Sequence, residues 1–461
     1  MQVVVVGNGI LGLTVTREIL RKDSSVRVVL VGPETRPGCA SVAAAAMFNS
    51  FCEVDAETTG NQFERAKFLF NKSATPLWPA QLKELSEESG RELNYGFGTY
   101  LVNNHHSDAL EDENFDAVVA MLNEFAEPFE HIQPSEIPNY APIPSARAAR
   151  AIYIPSEGWV NPLQLLACLE DILLRSGRVT FVNQACHSLR ISEGRVESVI
   201  LANQEIVQGD TFVLCPGAVF SEIIARSEIT LNIPRIFYGV GCSILLRTDE
   251  NTLSHCVRTP NRGLACGVYA APQAHGYTVV GASNFISPVA EEHVRLTSIH
   301  TLITAAIEQI NARYYRAQLV RVNVGWRPTS ADTLPLIGKT SIQGLVVATG
   351  TKRDGLHCSP VISDHVSDLV LGRTPKLDLS LFRPERPLTR VLTRDAAINT
   401  AVRHSINAAY QHGFKAAQGR MVEDLERLYK TESTELHDQV GARDWGIPPE
   451  MINMYKNGHI L

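Results

Sequence analysis

The chain contains no Cys-x-x-Cys pair, and its nine cysteines are scattered and odd in number. That argues against a disulfide framework and a zinc site, and fits a reducing compartment. No block of lysine and arginine occurs, and the net charge is −7. Nucleic acid and anionic membrane are therefore poor partners. No apolar run reaches the length of a membrane span. The N-terminus lacks the basic region of a secretory signal, so a cytoplasmic location is expected. His105 and His106 are adjacent, share no face and have no partner spaced for a metal. They are expected in a solvated loop, with no metal site anywhere.

What is present begins at once. Four valines, Val3 to Val6, run into Gly7-Asn8-Gly9-Ile10-Leu11-Gly12. A continuous β-branched run reads as a strand buried on both faces. Gly-x-Gly-x-x-Gly after a strand reads as the turn that brings a dinucleotide pyrophosphate onto a helix N-terminus. Leu11, Val15 and Ile19 give that helix its apolar spacing, and a second strand follows over 26–31. An acidic residue usually ends this second strand and holds the ribose. Here Gly32 takes that place and Glu34 stands two residues on. Either Glu34 reaches back, or backbone and water hold the ribose. The missing carboxylate argues against an ordinary NAD enzyme.

The stretch 38–47 is rich in small residues that let a backbone approach a flat cofactor, and Ser41 offers a hydroxyl. An alanine-rich helix start is the competing reading. A helix is expected over 61–90, a strand over 96–102, a helix over 111–126 and a proline-rich connection over 134–155. Asn161 is a natural N-cap with Pro162 at the first helical position, opening a helix to about 177. Short antiparallel strands are expected over 179–189, 194–202 and 205–209, and a returning strand ends at Cys215-Pro216-Gly217. Strands follow at 237–246, 263–270 and 276–281, with one long helix over 291–312. Beyond 395, Ile398, Val402, Ile406, Tyr410 and Phe414 recur every fourth residue, followed by Met421, Leu425 and Leu428. This is an amphipathic helical tail with one apolar stripe. It packs on the body or another subunit, or it docks a partner protein.

Five segments resemble, in order, the D-amino-acid oxidase-like flavoproteins, closest to their glycine oxidase and sarcosine oxidase branch: VVVVGNGILG, GCASVAAAAMF, EGWVNPLQLLACL, DTFVLCPGAVF, and GWRPTSADTLPLIG with GLVVATGTKRDGL. The resemblance implies an α/β (α+β) fold. An FAD-binding Rossmann-like domain of the two-dinucleotide type would comprise 1–95, 155–232 and 324–373. A mainly antiparallel substrate domain would comprise 96–154 and 233–323, and 374–461 would be a linker and helical extension. It implies noncovalent FAD on Gly7, Gly9, Ile10, Leu11, Gly12, Glu34, Ser41, Ala45, Ala46 and Met47. Cys186, Gly217, Gly350, Lys352, Arg353, Asp354, Gly355 and Leu356 complete that site. Glycine is usual in the family where Ala45 and Ala46 stand, and histidine is common in place of Thr351. His357 and Cys358 lie near the flavin loop and are read as packing.

The same resemblance gives Arg327 the substrate carboxylate, Tyr269 a second contact to it, and Arg353 a place facing flavin or substrate. A planar guanidinium gives two charge-assisted hydrogen bonds to a carboxylate. Fixing the carboxylate sets the Cα–H over flavin N5, and no side-chain base is needed if the amine enters neutral. For Arg327 the alternative is an ion pair with Asp332 or a surface carboxylate; for Tyr269 it is sheet packing. The implied activity is oxidation of the C–N bond of an amino acid or small amine bearing a carboxylate, with oxygen as acceptor and peroxide as product. Alternatives are a dehydrogenase with another acceptor, a tailoring oxidase of a larger substrate, and an FAD-containing structural subunit.

Overall fold

The computed structural model describes residues 1–461 apart from 105–107, 264, 265, 282, 412, 413, 415–418 and 461. The His105–His106 pair thus lies outside the described residues.

The four valines form the strand Gln2–Val6 at the middle of a six-stranded sheet, between Thr211–Leu214 and Arg27–Val31, both parallel to it. Val3, Val4 and Val5 are fully buried because both sheet faces are covered. Leu345–Thr349 extends the parallel set and Leu336–Lys339 closes that edge antiparallel. The glycine turn is as tight as its spacing predicts. A Cβ on Gly12 would stand 1.7 Å from the Gly7 carbonyl oxygen, and Gly7 itself has φ +107. The helix Ile10–Lys22 can therefore start directly on the strand end.

The stretch expected as one strand over 179–189 divides. Val179–Val182 joins the parallel sheet beside Arg27–Val31, and Gly32 N donates to Val182 O at 3.0 Å. Cys186–Ser192 instead opens a separate three-stranded antiparallel sheet with Arg195–Leu201 and Ile206–Gln208.

A ten-stranded sheet, mostly antiparallel, lies across the cofactor end of the first. Its long members are Ile236–Arg247, Gln318–Ser330, Tyr95–Asn104 and Ala148–Val160. The expected borders at 154/155 and 323/324 both fall inside strands of this sheet. The strand Ala148–Val160 replaces the end of the expected proline-rich connection. It tolerates Pro155 because the register with Tyr95–Asn104 shifts there, so no ladder hydrogen bond is required of it. Similarly, Pro76 and Pro79 divide the helix expected over 61–90 into Gln62–Ala74 and Trp78–Ser89. Of the expected 263–270 strand, residues 264 and 265 lie outside the described residues, and the strand that is described runs Tyr269–Gln273. The long helix over 291–312 is shorter, Leu296–Ala305, widening into a π turn before Asn311 caps the next turn. Asn161 does cap Pro162–Arg175, accepting from Leu163 N and Gln164 N.

The tail folds back on its own chain. Arg386 reaches Asp332 with two hydrogen bonds of 2.9 Å, both side chains almost wholly buried, and donates to Leu334 and Pro335 carbonyls as well. The helix Arg394–Gln411 buries Ala397, Ile398, Ala401 and Ile406. It lies so close to Gly263 that a Cβ there would stand 2.5 Å from His404 O. The helix Gly419–Gln439 exposes Met421 and Leu428, but Leu436 packs with Ile447, Met451, Met454 and Tyr455 against Phe237 and Ala331. No helix among the described residues is long and apolar enough to cross a membrane.

Removing one partner of a buried ion pair costs about 3–5 kcal/mol. Arg386→Ala is therefore expected to lower stability by at least about 3 kcal/mol in urea unfolding, and to expose the 387–461 region to limited proteolysis. A variant with wild-type stability would show that the Asp332–Arg386 pair does not hold the extension down.

Candidate functional site

A cleft of about 320 Å³ runs between the two large sheets. At one end it is lined by Gly7, Gly9, Ile10, Leu11, Ser41, Cys186 and Gly217; at the other, Met47, Tyr269, Arg327 and Lys352 to Leu356 converge. Ala45 and Ala46 line its middle. Ser41 Oγ accepts from Ile10 N at 3.0 Å, so the small-residue stretch is fastened to the helix start. Three of the expected residues stand elsewhere. Gly12 is beneath the turn, packed on Gly7. Gly350, with φ +71, lines an adjoining compartment instead. Glu34 does not line the cleft: its backbone N–H donates to Asn183 Oδ1, and Asn183 Nδ2 donates back to its carboxylate. That reciprocal pair turns Glu34 away from the expected ribose position. Arg36 lines the cleft there and was not anticipated; its Nε donates to Asn8 O at 3.0 Å and its Nη2 pairs with Glu170.

A long, narrow cleft whose walls are glycine and alanine, with a helix N-terminus at one end and a guanidinium at the other, fits an extended dinucleotide such as FAD. A Cβ on Gly9 would already touch Ser41 Oγ at 3.3 Å, so side chains there would close the cleft. Ala46 has φ +54, the left-handed region where glycine is favoured.

Arg327 sits on the strand Gln318–Ser330, opposite Gly239. Its guanidinium lies over Gly241, where a Cβ would stand 1.9 Å from Nη1. Nη1 donates to Ser283 O at 3.0 Å and to Asn284 Oδ1 at 3.3 Å. Among the described residues no carboxylate pairs with it, and Asp332, the alternative partner, belongs to Arg386. Tyr269 is buried, its ring against Gly281, and burial pushes its phenol well above the ordinary value.

Arg353 is engaged by a carboxylate that the sequence reading missed. Glu53 stands between Arg258 Nη1, at 2.7 Å, and Arg353 Nε, at 2.8 Å. The first contact is a hydrogen bond; the second is an ion pair out of line for one, which leaves Glu53 Oε2 without a donor. Burial alone would raise the Glu53 carboxyl, but Arg353, Arg258 and Lys352 outweigh it and bring it down to about 2. Beside it, burial and then Glu53 push Asp354 up. His357 Nε2 meets Asn71 O at 2.8 Å and Cys358 Sγ donates to Asn71 Oδ1 at 3.0 Å, so both are engaged in packing contacts.

A second compartment, of about 170 Å³, adjoins the first at Glu53, Cys266, Arg327, Thr351 and Arg353. Its far wall comes from the extension: Thr400, His404 and the turn Pro448-Pro449-Glu450. Glu450 accepts from Lys352 Nζ at 2.7 Å, and Lys352, with Lys67, keeps its carboxyl below the ordinary range although burial opposes this.

Residues 2–369 match the family model described as FAD dependent oxidoreductase. The glycine oxidase of Geobacillus kaustophilus is 24% identical over 396 residues, covering 84% of this chain and 98% of that protein. The bifunctional protein ThiO/ThiG of Trichormus variabilis is 22% identical over 415 residues, covering 89% of this chain; the match spans only 58% of that longer protein. Among solved structures, iminodiacetate oxidase from Chelativorans sp. BNC1 superposes with a TM-score of 0.70 at 20% identity, covering 83% of this chain and 98% of that one. The crystal structure of the Geobacillus kaustophilus glycine oxidase gives a TM-score of 0.70 at 22% identity, covering 84% and 99%.

The depressed Glu53 value carries a pH signature. A carboxylate with a lowered folded pKa stabilises the fold fully above its unfolded value, about 4.3. That contribution fades as pH falls toward about 2. The stability difference between wild type and Glu53→Gln should hold steady from neutral pH down to about 5 and shrink below about 4. Thermal unfolding of both proteins across pH checks this; a difference that grows on acidification would contradict the pairing.

Proposed function

Because the chain belongs to the family of FAD dependent oxidoreductases, we propose that it oxidises the C–N bond of an amino acid, or of a related small amine that carries a carboxylate. FAD supplies the two-electron acceptor when bound. The segments 1–95, 155–232 and 324–373 contribute most of its walls, with Gly7, Gly9, Ile10, Ser41 and Arg36 toward the nucleotide and Met47, Thr351 and Gly355 toward the ring. The reading keeps FAD noncovalent, since His357 and Cys358 are both engaged with Asn71.

The observation that carries the reading is Arg327. A guanidinium held at the meeting of the two compartments, with only neutral hydrogen-bond partners among the described residues, is a ready site for a carboxylate. Tyr269 borders the same space and adds a hydroxyl that burial keeps protonated. These two groups bind and orient the substrate so that its Cα–H is presented to the cofactor, and positioning is most of what the step requires of the protein. The amine enters neutral, so no side chain has to take its proton. The imine released would be hydrolysed by water, and with oxygen as the electron acceptor the second product would be peroxide. The glycine oxidase likeness supports an amino acid core for the substrate.

Anaerobic bleaching of the purified yellow protein by a panel of D-, L- and N-methyl amino acids tests the reaction, and peroxide formation in air tests the acceptor. A flavin that no amine reduces would mark a structural flavoprotein. Losing a charged hydrogen-bond partner costs about 1.5–3 kcal/mol, so Arg327→Ala should raise KM by at least about tenfold. Gly241→Ala must push the guanidinium aside and should lower kcat/KM by at least about tenfold without loss of bound flavin. Unchanged kinetics in both variants would remove Arg327 from the substrate site.

A further inference from the structure

We propose that the second compartment receives the side chain of the substrate, and that this side chain ends in a cationic group such as an ammonium or guanidinium. The proposal rests on Arg327 as the carboxylate anchor. Because both compartments share Arg327, Glu53 and Arg353, a molecule held there by its carboxylate can occupy the flavin-side cleft and the second compartment together.

The chemistry of the walls sets what fits. The compartment is lined by six carboxylates, Glu53, Asp55, Glu57, Glu64, Asp354 and Glu450. Its other cations are already committed: Arg353 to Glu53, Lys352 to Glu450, Lys67 to Glu64 at 2.6 Å, and Arg262 to Glu111 at 3.0 Å behind the wall. Three carboxylates remain. Asp55 accepts from Thr58 N and Oγ1, Glu57 accepts from Thr400 Oγ1, and Asp354 is hydrogen-bonded by Asn71. All three partners are neutral, and among the described residues no ion pair reaches any of the three. In addition, Glu53 Oε2 is buried in the same wall without a hydrogen-bond donor. Carboxylates withdrawn from water are stabilised by an opposite charge and penalised by an apolar neighbour. An aliphatic or aromatic side chain would strip their water and return nothing. A cationic one would supply the missing donors.

The extension closes this compartment. Thr400 holds Glu57, and Pro448, Pro449 and Glu450 close the side away from the flavin cleft. All of them lie beyond residue 369, where the family match ends. The 374–461 segment is thus a specificity element for the distal end of the substrate.

The test compares two carboxylates that differ only by a terminal ammonium, 5-aminopentanoate and pentanoate, neither with an α-amine to oxidise. Each is titrated into the FAD-loaded full chain, and binding is read from the perturbed flavin spectrum. 5-Aminopentanoate is expected to bind at least about tenfold more tightly than pentanoate. The near-isosteric Asp55→Asn, Glu57→Gln double variant keeps an N-cap and a partner for Thr400, and should reduce that preference to under about threefold. Anaerobic flavin reduction by ornithine, lysine or arginine of one configuration should likewise exceed that by leucine of the same configuration by at least about tenfold in kcat/KM. Equal or weaker binding of 5-aminopentanoate overturns the proposal and leaves Arg327 in place, provided pentanoate binds and Arg327→Ala abolishes that binding. If neither acid binds, the anchor itself is wrong and both readings fall.

Discussion

Glu53 is the charge on which the catalytic end of this molecule is built. Its carboxylate joins three stretches that are far apart in the chain: the loop after Met47–Phe48, the strand Cys256–Arg258 and the loop after Leu345–Thr349. Arg258 is fully buried, and a buried guanidinium without a carboxylate would cost several kcal/mol. Glu53 meets that requirement from one side and fixes Arg353 from the other. The loop that carries it is itself pinned by a second buried carboxylate, since Glu157 Oε1 accepts from the backbone N–H groups of Ser50, Phe51 and Cys52. The other cations of the site are each paired with a carboxylate, which leaves Arg327 as the guanidinium of the site with no acidic partner among the described residues. That asymmetry, and not the presence of arginine as such, is what supports the proposal that it receives an external carboxylate.

The second constraint is how closely the nucleotide end and the substrate end are bound together. Trp326, next to Arg327, donates its backbone N–H to Gly38 O at 2.8 Å, and its ring lies where a Cβ on Gly38 would be. Its indole N–H donates to Glu291 O at 2.7 Å. Gly38 leads directly into Cys39-Ala40-Ser41, whose hydroxyl accepts from the helix start at Ile10. One short path of close contacts therefore runs from the glycine turn to Arg327. A Cβ on Gly38 would collide with the Trp326 ring, so this path leaves no room for a side chain there.

What could be read from the residues was whatever local spacing encodes. The valine strand, the glycine turn and Asn161 with Pro162 are short-range patterns, and the fold uses them as read. Partners separated by hundreds of residues leave no such trace. Nothing near Glu53 announces Arg258 or Arg353, and Asp332 gives no hint that Arg386, not Arg327, will meet it. Glu34 is a case where position suggested a role and a tertiary hydrogen bond with Asn183 decided otherwise. Strand limits around Pro155 were misplaced for a related reason: proline excludes a residue from a regular ladder, and only the pairing register reveals that the ladder has a bulge there. The amphipathic stripe beyond 395 said that the tail packs on something; its period holds no information about the surface it covers.

The departures from the family pattern are best understood together with that tail. Ala46 accepts a left-handed backbone that costs an L-residue about 1–2 kcal/mol, and it keeps this conformation because its carbonyl accepts from Val160 N in the facing sheet. Its methyl group narrows the cleft where glycine would leave it wider. Thr351 brings a short hydroxyl against Gly355, in place of the broader ring common at that position. Thr351 belongs to the loop 350–356, which is the wall shared with the second compartment. The extension then roofs that space with Pro448, Pro449 and Glu450 and ties it to the loop through Lys352. Loop and tail are thus joined: the ion pair that shapes the roof also neutralises Lys352, which supports the proposal that the carboxylate of a ligand goes to Arg327.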